Sequence, residues 1–283
     1  MRFAIHVHNF GVYADPRLIG ELAGEADRAG WDGVFVADHL LQRWQDAPQP
    51  IADPWVALAA VALATERVRI GPMVTPLPRR RPWQLAGETA TLDQLSGGRL
   101  ILGVGSGIGE EFPPFGEEAD LRRRAAMLDE GLDVLIGLWR GEPFSYRGEH
   151  YRLDDVTFLP RPVQQPRVPL WVAGHWPHRP PFRRAARWDG VFIDGPNVDW
   201  TAGEIIRPDD LRAAVEYTLA HRSSSEPFDV VIGGHTPSDP RQAADRIRPY
   251  ADLGVTWWVE AVMEGFGTVE QTRQRLRQGP PRL

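Results

Sequence analysis

The 283-residue chain contains no cysteine, which excludes disulfides, thiolate metal sites and a thiol nucleophile. It contains no lysine either: all 32 basic residues are arginine, so a catalytic lysine and Schiff-base chemistry are ruled out. Nowhere does an apolar run approach the roughly 20 residues needed to cross a bilayer. The opening MRFAIHVHNF lacks the long apolar stretch of a secretion signal, so a cytoplasmic location away from any membrane is expected. Positive charge is not in excess: 32 basic against 38 acidic residues leave a net charge of −6. With a pI of about 5.8 the chain has no electrostatic footprint for nucleic acid. Its 42% hydrophobic and 25% charged residues supply one large core and argue against disorder.

Short runs rich in Val and Ile alternate with segments of helical periodicity. Strands are expected at 3–8, 33–38, 69–75, 100–105, 170–174, 190–194, 229–233 and 256–262. Helices are expected near 16–29, 53–65, 82–96, 120–139, 179–187, 208–222, 240–252 and 268–277. Asp15-Pro16, Asp53-Pro54 and Asp239-Pro240 each set a capping carboxylate before a proline, whose missing N–H is harmless at the first helical position. Eight such units favour right-handed βαβ crossovers closing into one (β/α)8 barrel over residues 1–283. A doubly wound open sheet is the alternative; the first turn, HNFGVYADP, is not a dinucleotide fingerprint. The 140–168 connection, with FSYRGEHYRL and then PRPVQQPRVP, reads as an inserted hairpin and extended linker before the fifth strand.

In a barrel the strand ends share one cavity. Here they carry His8 and Asn9, Asp38 and His39, Thr75, Ser106, His175 and Trp176, Asp194, His235, and Glu260 or Glu264. Helix caps also recruit acidic and hydroxyl side chains, so each has a plain alternative. His6 and His8 alternate along one strand and could offer two imidazoles, but packed or hydrogen-bonded core histidines are the simpler reading and no metal is assigned. GVGSG (103–107) could cradle a phosphate or could be only a tight bend, and it lacks the Lys-Ser/Thr of a P-loop. Arg79, Arg80 and Arg81 form one positive patch, and Arg179, Arg183, Arg184 and Arg187 another that could meet an anionic tail; a solvated face is the plain reading of both. Trp44 is a candidate flat wall for a planar ligand, or a surface-loop anchor.

Longer strings carry a family resemblance. EADRAGWDGVFVADH (25–39), ERVRIGPMVTPLPRRRPWQLAGETATLDQLSGGRLILGVGSG (66–107), RVPLWVAG (167–174) with RRAARWDGVF (183–192), and GVTWWVE (254–260) resemble the bacterial luciferase-like monooxygenase superfamily over nearly the whole chain. The resemblance implies a barrel that binds coenzyme F420 or FMN at the strand C-termini. It implies His39 as the proton-handling residue beside the reactive ring, a task suited to imidazole. Asp38, Met73, Val74, Thr75, Ser106, Gly107, Gly174 and His175 are the implied coenzyme contacts, with a non-proline cis peptide at Met73-Val74. His8, Trp44 and Asp194 are assigned to the substrate side. The activity implied is hydride transfer between F420 and a small organic substrate. An FMN-dependent monooxygenase fed by a separate flavin reductase is the alternative, and a non-catalytic coenzyme-binding protein a second; a homodimer is also implied. Two departures stand out. Sugar-phosphate dehydrogenases of this type carry a glutamate directly after the glycine turn, where this chain has Ile108, with Glu110 and Glu111 later. The bulky His175, Trp176, Pro177 and His178 replace small residues after the fifth strand, which would narrow a phosphate pocket.

Overall fold

A computed structural model describes residues 1–44, 47–196, 198–199 and 202–283, the side chain of Trp44 excepted. The barrel strands are β1 (Arg2–Val7), β2 (Gly33–Val36), β3 (Arg69–Pro72), β4 (Leu102–Gly105), β5 (Leu170–His175), β6 (Gly190–Asp194), β7 (Asp229–Gly234) and β8 (Trp257–Val262). All pair in parallel, in the order β3-β2-β1-β8-β7-β6-β5-β4. The helices are α1 (Pro16–Arg28), α2 (Pro54–Ala64), α3 (Pro82–Leu95), α4 (Leu121–Trp139), α5 (Pro180–Ala185), α6 (Pro208–Ala220), α7 (Pro240–Ala251) and α8 (Val269–Arg277). No described helix is long and apolar enough to cross a membrane.

Period-2 alternation divides each strand between two cores. In β1, Phe3, Ile5 and Val7 pack outward against the helices, while Ala4 joins Phe35, Met73, Ile101, Trp171, Phe192, Val231, Trp257 and Val259 inside the barrel. The expected caps form: Asp15 accepts from the Arg17 N–H, Asp53 from those of Trp55 and Val56, and Asp239 from those of Arg241 and Gln242.

The third strand differs from the single run expected at 69–75. Its first half pairs with β2; the chain then bends at Met73-Val74, a cis peptide, and Thr75–Pro76 pairs with β4. A parallel bridge between Ile70 and Leu100 completes the closure. Two glycines of GVGSG have packing roles: a Cβ on Gly103 would lie 2.4 Å from the Pro72 carbonyl oxygen, and at Gly107, φ +77°, one would lie 2.7 Å from the Phe112 ring. Within 140–168, Phe144–Arg147 pairs antiparallel with Arg152–Val156. The Glu130 carboxylate on α4 accepts from the amides of Glu149, His150 and Tyr151 and ties this hairpin down.

Gly103→Ala is expected to destabilise the fold by about 1–3 kcal/mol, the usual cost of forcing atoms into a packed interior. Urea unfolding would show this as a lower midpoint; an unchanged midpoint would mean that the β3–β4 closure does not depend on this contact.

Candidate active site

The strand C-termini open into a cavity of about 1010 Å³, lined by His8, Asp38, His39, Met73, Val74, Ser106, Gly107, Gly174, His175 and Asp194 among the expected residues. Ten of the twelve expected positions are thus brought together. Thr75 is not in the wall: it is fully buried, and its hydroxyl donates to Asp38 Oδ2 at 2.9 Å. Trp44 lies in a two-residue strand paired with Ala47–Pro48, and its side chain is outside the described residues.

Asp38 and His39 follow β2 and have contrasting surroundings. The Asp38 carboxylate is buried and held by Arg79 Nη2 at 2.8 Å, Arg80 Nη2 at 2.9 Å and Arg80 Nε at 3.1 Å. The His39 side chain is 25% exposed, and its Nδ1 lies 2.9 Å from Glu111 Oε1. Arg79 joins the two acids: Nη1 donates to Glu111 Oε2, while Nη2 reaches both the carboxylate and the carbonyl of Asp38. Arg79 and Arg80 are therefore no solvated face, their side chains being 4% and 18% exposed, whereas Arg81 is exposed. Burying these charges is tolerable because each meets an opposite charge with directional hydrogen bonds.

Glu111 is the site residue that sequence reasoning undervalued; it was noted only as lying beyond Ile108. It sits in a short 3-10 turn, Gly109–Glu111, and Oε1 also faces the amides of Leu40 at 3.3 Å and Leu41 at 3.4 Å. Burial pushes its carboxyl up, but the hydrogen bond and charge of His39, followed by the charge and hydrogen bond of Arg79, together hold it below its ordinary 4.5.

His6 and His8 face the cavity together, ring centroids 4.4 Å apart. Desolvation, helped by the neighbouring His39, pushes His8 down to about 3, and desolvation with the charges of His8 and His39 pushes His6 well below its ordinary value. Both are neutral imidazoles near neutral pH. Among the described residues, no group of three or more His, Asp or Glu side chains is arranged to hold a metal ion.

Beyond β5, Trp176 turns away from the cavity and packs on Phe182 and Tyr217, ring centroids 5.3 and 6.0 Å apart. The bulk expected to narrow the pocket is thus partly absorbed in the outer layer, while His175 and His178 stay in the wall. His175 Nδ1 lies 3.7 Å from Asp194 Oδ2. Of the second arginine group, Arg184 lines the cavity but, like Arg187, pairs with Asp129; Arg183 donates to the Tyr217 hydroxyl and Arg179 lies over the Tyr217 ring. His235 and Glu260 lie elsewhere, in a separate cavity of about 730 Å³ beside α8. There Glu260 is occupied by Thr236 and Trp258.

A family model described as luciferase-like monooxygenase matches residues 1–244. An F420-dependent glucose-6-phosphate dehydrogenase from Nakamurella multipartita is 35% identical over 64% of this chain and 51% of its own. The oxygenase component of a flavin-dependent trigonelline monooxygenase from Acinetobacter baylyi is 30% identical over 64% of this chain and 51% of its own. The chain thus matches about half the length of each of these relatives. The solved coenzyme F420-dependent tetrahydromethanopterin reductase from Methanopyrus kandleri superposes with a TM-score of 0.77 at 18% identity, covering 98% of this chain and 96% of that one. That last likeness is one of fold, and it agrees with the closed barrel described above.

Because the Glu111 carboxyl is held below its ordinary value in the folded protein, its ionised form stabilises the fold above about pH 4.5, and this contribution is lost as pH falls through the folded-state value. Glu111→Gln is therefore expected to lower stability near neutrality and to flatten the acid limb. Denaturant midpoints measured from neutral to acid pH should converge for the two proteins at the acid end; a constant gap would rule out the charge as its origin.

Proposed function

The chain belongs to the luciferase-like monooxygenase family, and from that premise we propose that it is an oxidoreductase moving a hydride between coenzyme F420 and a small organic substrate. The observation carrying this reading is the His39 imidazole, anchored through Nδ1 in the wall of a cavity otherwise rich in apolar groups. The fit to a planar coenzyme with an anionic tail is good in three respects. The volume of about 1010 Å³ is at the upper end of the roughly 300–1,000 Å³ usual for ligand pockets, leaving space for a second molecule. Met73, Val74, Ala173 and Phe192 offer an apolar wall to a flat ring, and Arg122, Arg184 and His178 give the rim cationic and hydrogen-bonding groups for a phosphate.

When bound, the deazaflavin supplies the centre that accepts or donates hydride. In this reading Met73 and Val74 back the ring, while Ser106, Gly107, Gly174 and His175 hold its side chain. Asp38 lines the cavity beside them, and Thr75 acts at one remove by holding the Asp38 carboxylate. His39 takes the proton from a substrate hydroxyl, or returns it to a carbonyl oxygen, as hydride moves in the matching direction. His8 and Asp194 face the substrate; Trp44 is assigned to the same side, its side chain lying outside the described residues. Neutral His6 and His8, with Ile108 and Leu121 in the wall, suit an uncharged substrate with an apolar body better than a sugar phosphate. A single domain over residues 1–283 working in the cytoplasm belongs to the same reading.

The trigonelline relative is an oxygenase component by name, which supports a second reading: an FMN-dependent monooxygenase served by a separate flavin reductase. Equilibrium binding of F420 and FMN, each oxidised and reduced, separates the two. Tight F420 and weak FMN binding is expected; preference for reduced FMN would favour the oxygenase, and binding of neither would defeat both. With the F420 complex in hand, His39→Ala should keep coenzyme affinity and slow turnover by about 10²–10⁴-fold, the usual worth of a positioned acid–base group. Unchanged turnover would remove His39 from the mechanism.

A homodimer is the proposed assembly. The outward side of α2 presents Val56 and Leu63, 60% and 74% exposed, as an apolar stripe two turns long. Leu63→Arg is expected to convert a dimer to a monomer in light scattering; a monomeric parent protein would dismiss the assembly.

A further inference from the structure

We propose that Glu111 is a positioning residue that locks His39 in the tautomer carrying its proton on Nδ1, leaving Nε2 as the nitrogen that meets the ligand. The inference deepens the proposed role of His39 and rests on that reading for its catalytic meaning, although its geometry stands without it. An ionised carboxylate only accepts hydrogen bonds. With Oε1 at 2.9 Å from Nδ1, the ring nitrogen must be the donor, so the proton belongs on Nδ1 whether the imidazole is neutral or charged. Glu111 is kept ionised by Arg79 on its other oxygen, which together with the imidazole outweighs the upward push of burial.

The oxygen that faces the imidazole is fully engaged. Besides His39, Oε1 faces the amides of Leu40 and Leu41, so it is saturated, while Oε2 accepts from Arg79. The glutamate that the resemblance places directly after the glycine turn is replaced here by Ile108. The one that follows in the next turn faces the imidazole instead of the ligand.

Connectivity gives the contact its leverage. His39 stands in the loop after β2 and Glu111 in the loop after β4, 72 residues apart. The orientation of the imidazole is therefore set by a loop from another part of the barrel rather than by its own strand. An imidazole released from this carboxylate would revert to the Nε2-protonated tautomer that histidine side chains ordinarily favour, turning an acceptor into a donor at the cavity.

The test uses the coenzyme-free protein labelled with ¹⁵N at histidine. Long-range ¹H–¹⁵N correlations above the histidine titration range report which nitrogen bears the proton, His39→Gln identifies the signal among the 8 histidines, and amide spectra check each fold. Wild-type His39 is expected to show the Nδ1–H pattern. Glu111→Ala should shift it toward Nε2–H, and Glu111→Gln, whose amide oxygen still accepts, should largely restore Nδ1–H. Once a turnover assay exists, kcat should follow the same order, falling about 10–100-fold in Glu111→Ala, as for other residues that orient a functional imidazole. A wild-type His39 protonated on Nε2, or a Glu111→Ala pattern identical to wild type, overturns the proposal. Because the spectra need no coenzyme, failure to bind F420 would defeat the functional reading and leave this result unaffected.

Discussion

The barrel closes only because its fourth strand lacks side chains where the third leans on it. The Pro72 carbonyl comes to within 2.4 Å of the place a Cβ would occupy on Gly103, and this approach lets the third strand leave β2 and rejoin the sheet on the far side of β4. The rest of the site follows from that transfer. Met73 and Val74 bulge into the cavity, Thr75 comes under Asp38, and the short turn beyond delivers Arg79 and Arg80 over the same carboxylate.

Those two guanidiniums then do work that neither strand could do alone. Asp38 arrives from β2, the arginines from the segment after β3, and Glu111 from the segment after β4; the ion pairs weld three successive loops into one unit. Buried ion pairs of this kind add little net stability over apolar packing, but removing one member leaves an uncompensated charge. Their value here is geometric. They fix where the His39 imidazole sits.

The sequence was legible wherever local physics decides. Val- and Ile-rich runs marked all eight barrel strands, Asp-Pro steps marked helix starts, and the glycine-rich string marked the turn after β4. It was illegible where the decisive partner lay far along the chain. Glu111 looked like one acid in a loop, because nothing in its neighbours says that His39 lies opposite. Arg79 looked solvated because three adjacent arginines usually are; only the folded third strand shows that one of them is buried between two carboxylates. Thr75 was expected in the wall because strand ends face the cavity, but the bend before it turned its hydroxyl behind the wall. Trp176 shows the converse: its size was read correctly, and its direction depended on α5 and α6.

The segment that closes the barrel is also the segment that walls the cavity. Opening of that seam and softening of the wall are therefore a single motion, and whatever presses against Met73 and Val74 also clamps the sheet shut. A ligand seated there would act as a keystone: its binding energy would appear as rigidity around the whole ring of strands, far beyond the atoms it touches.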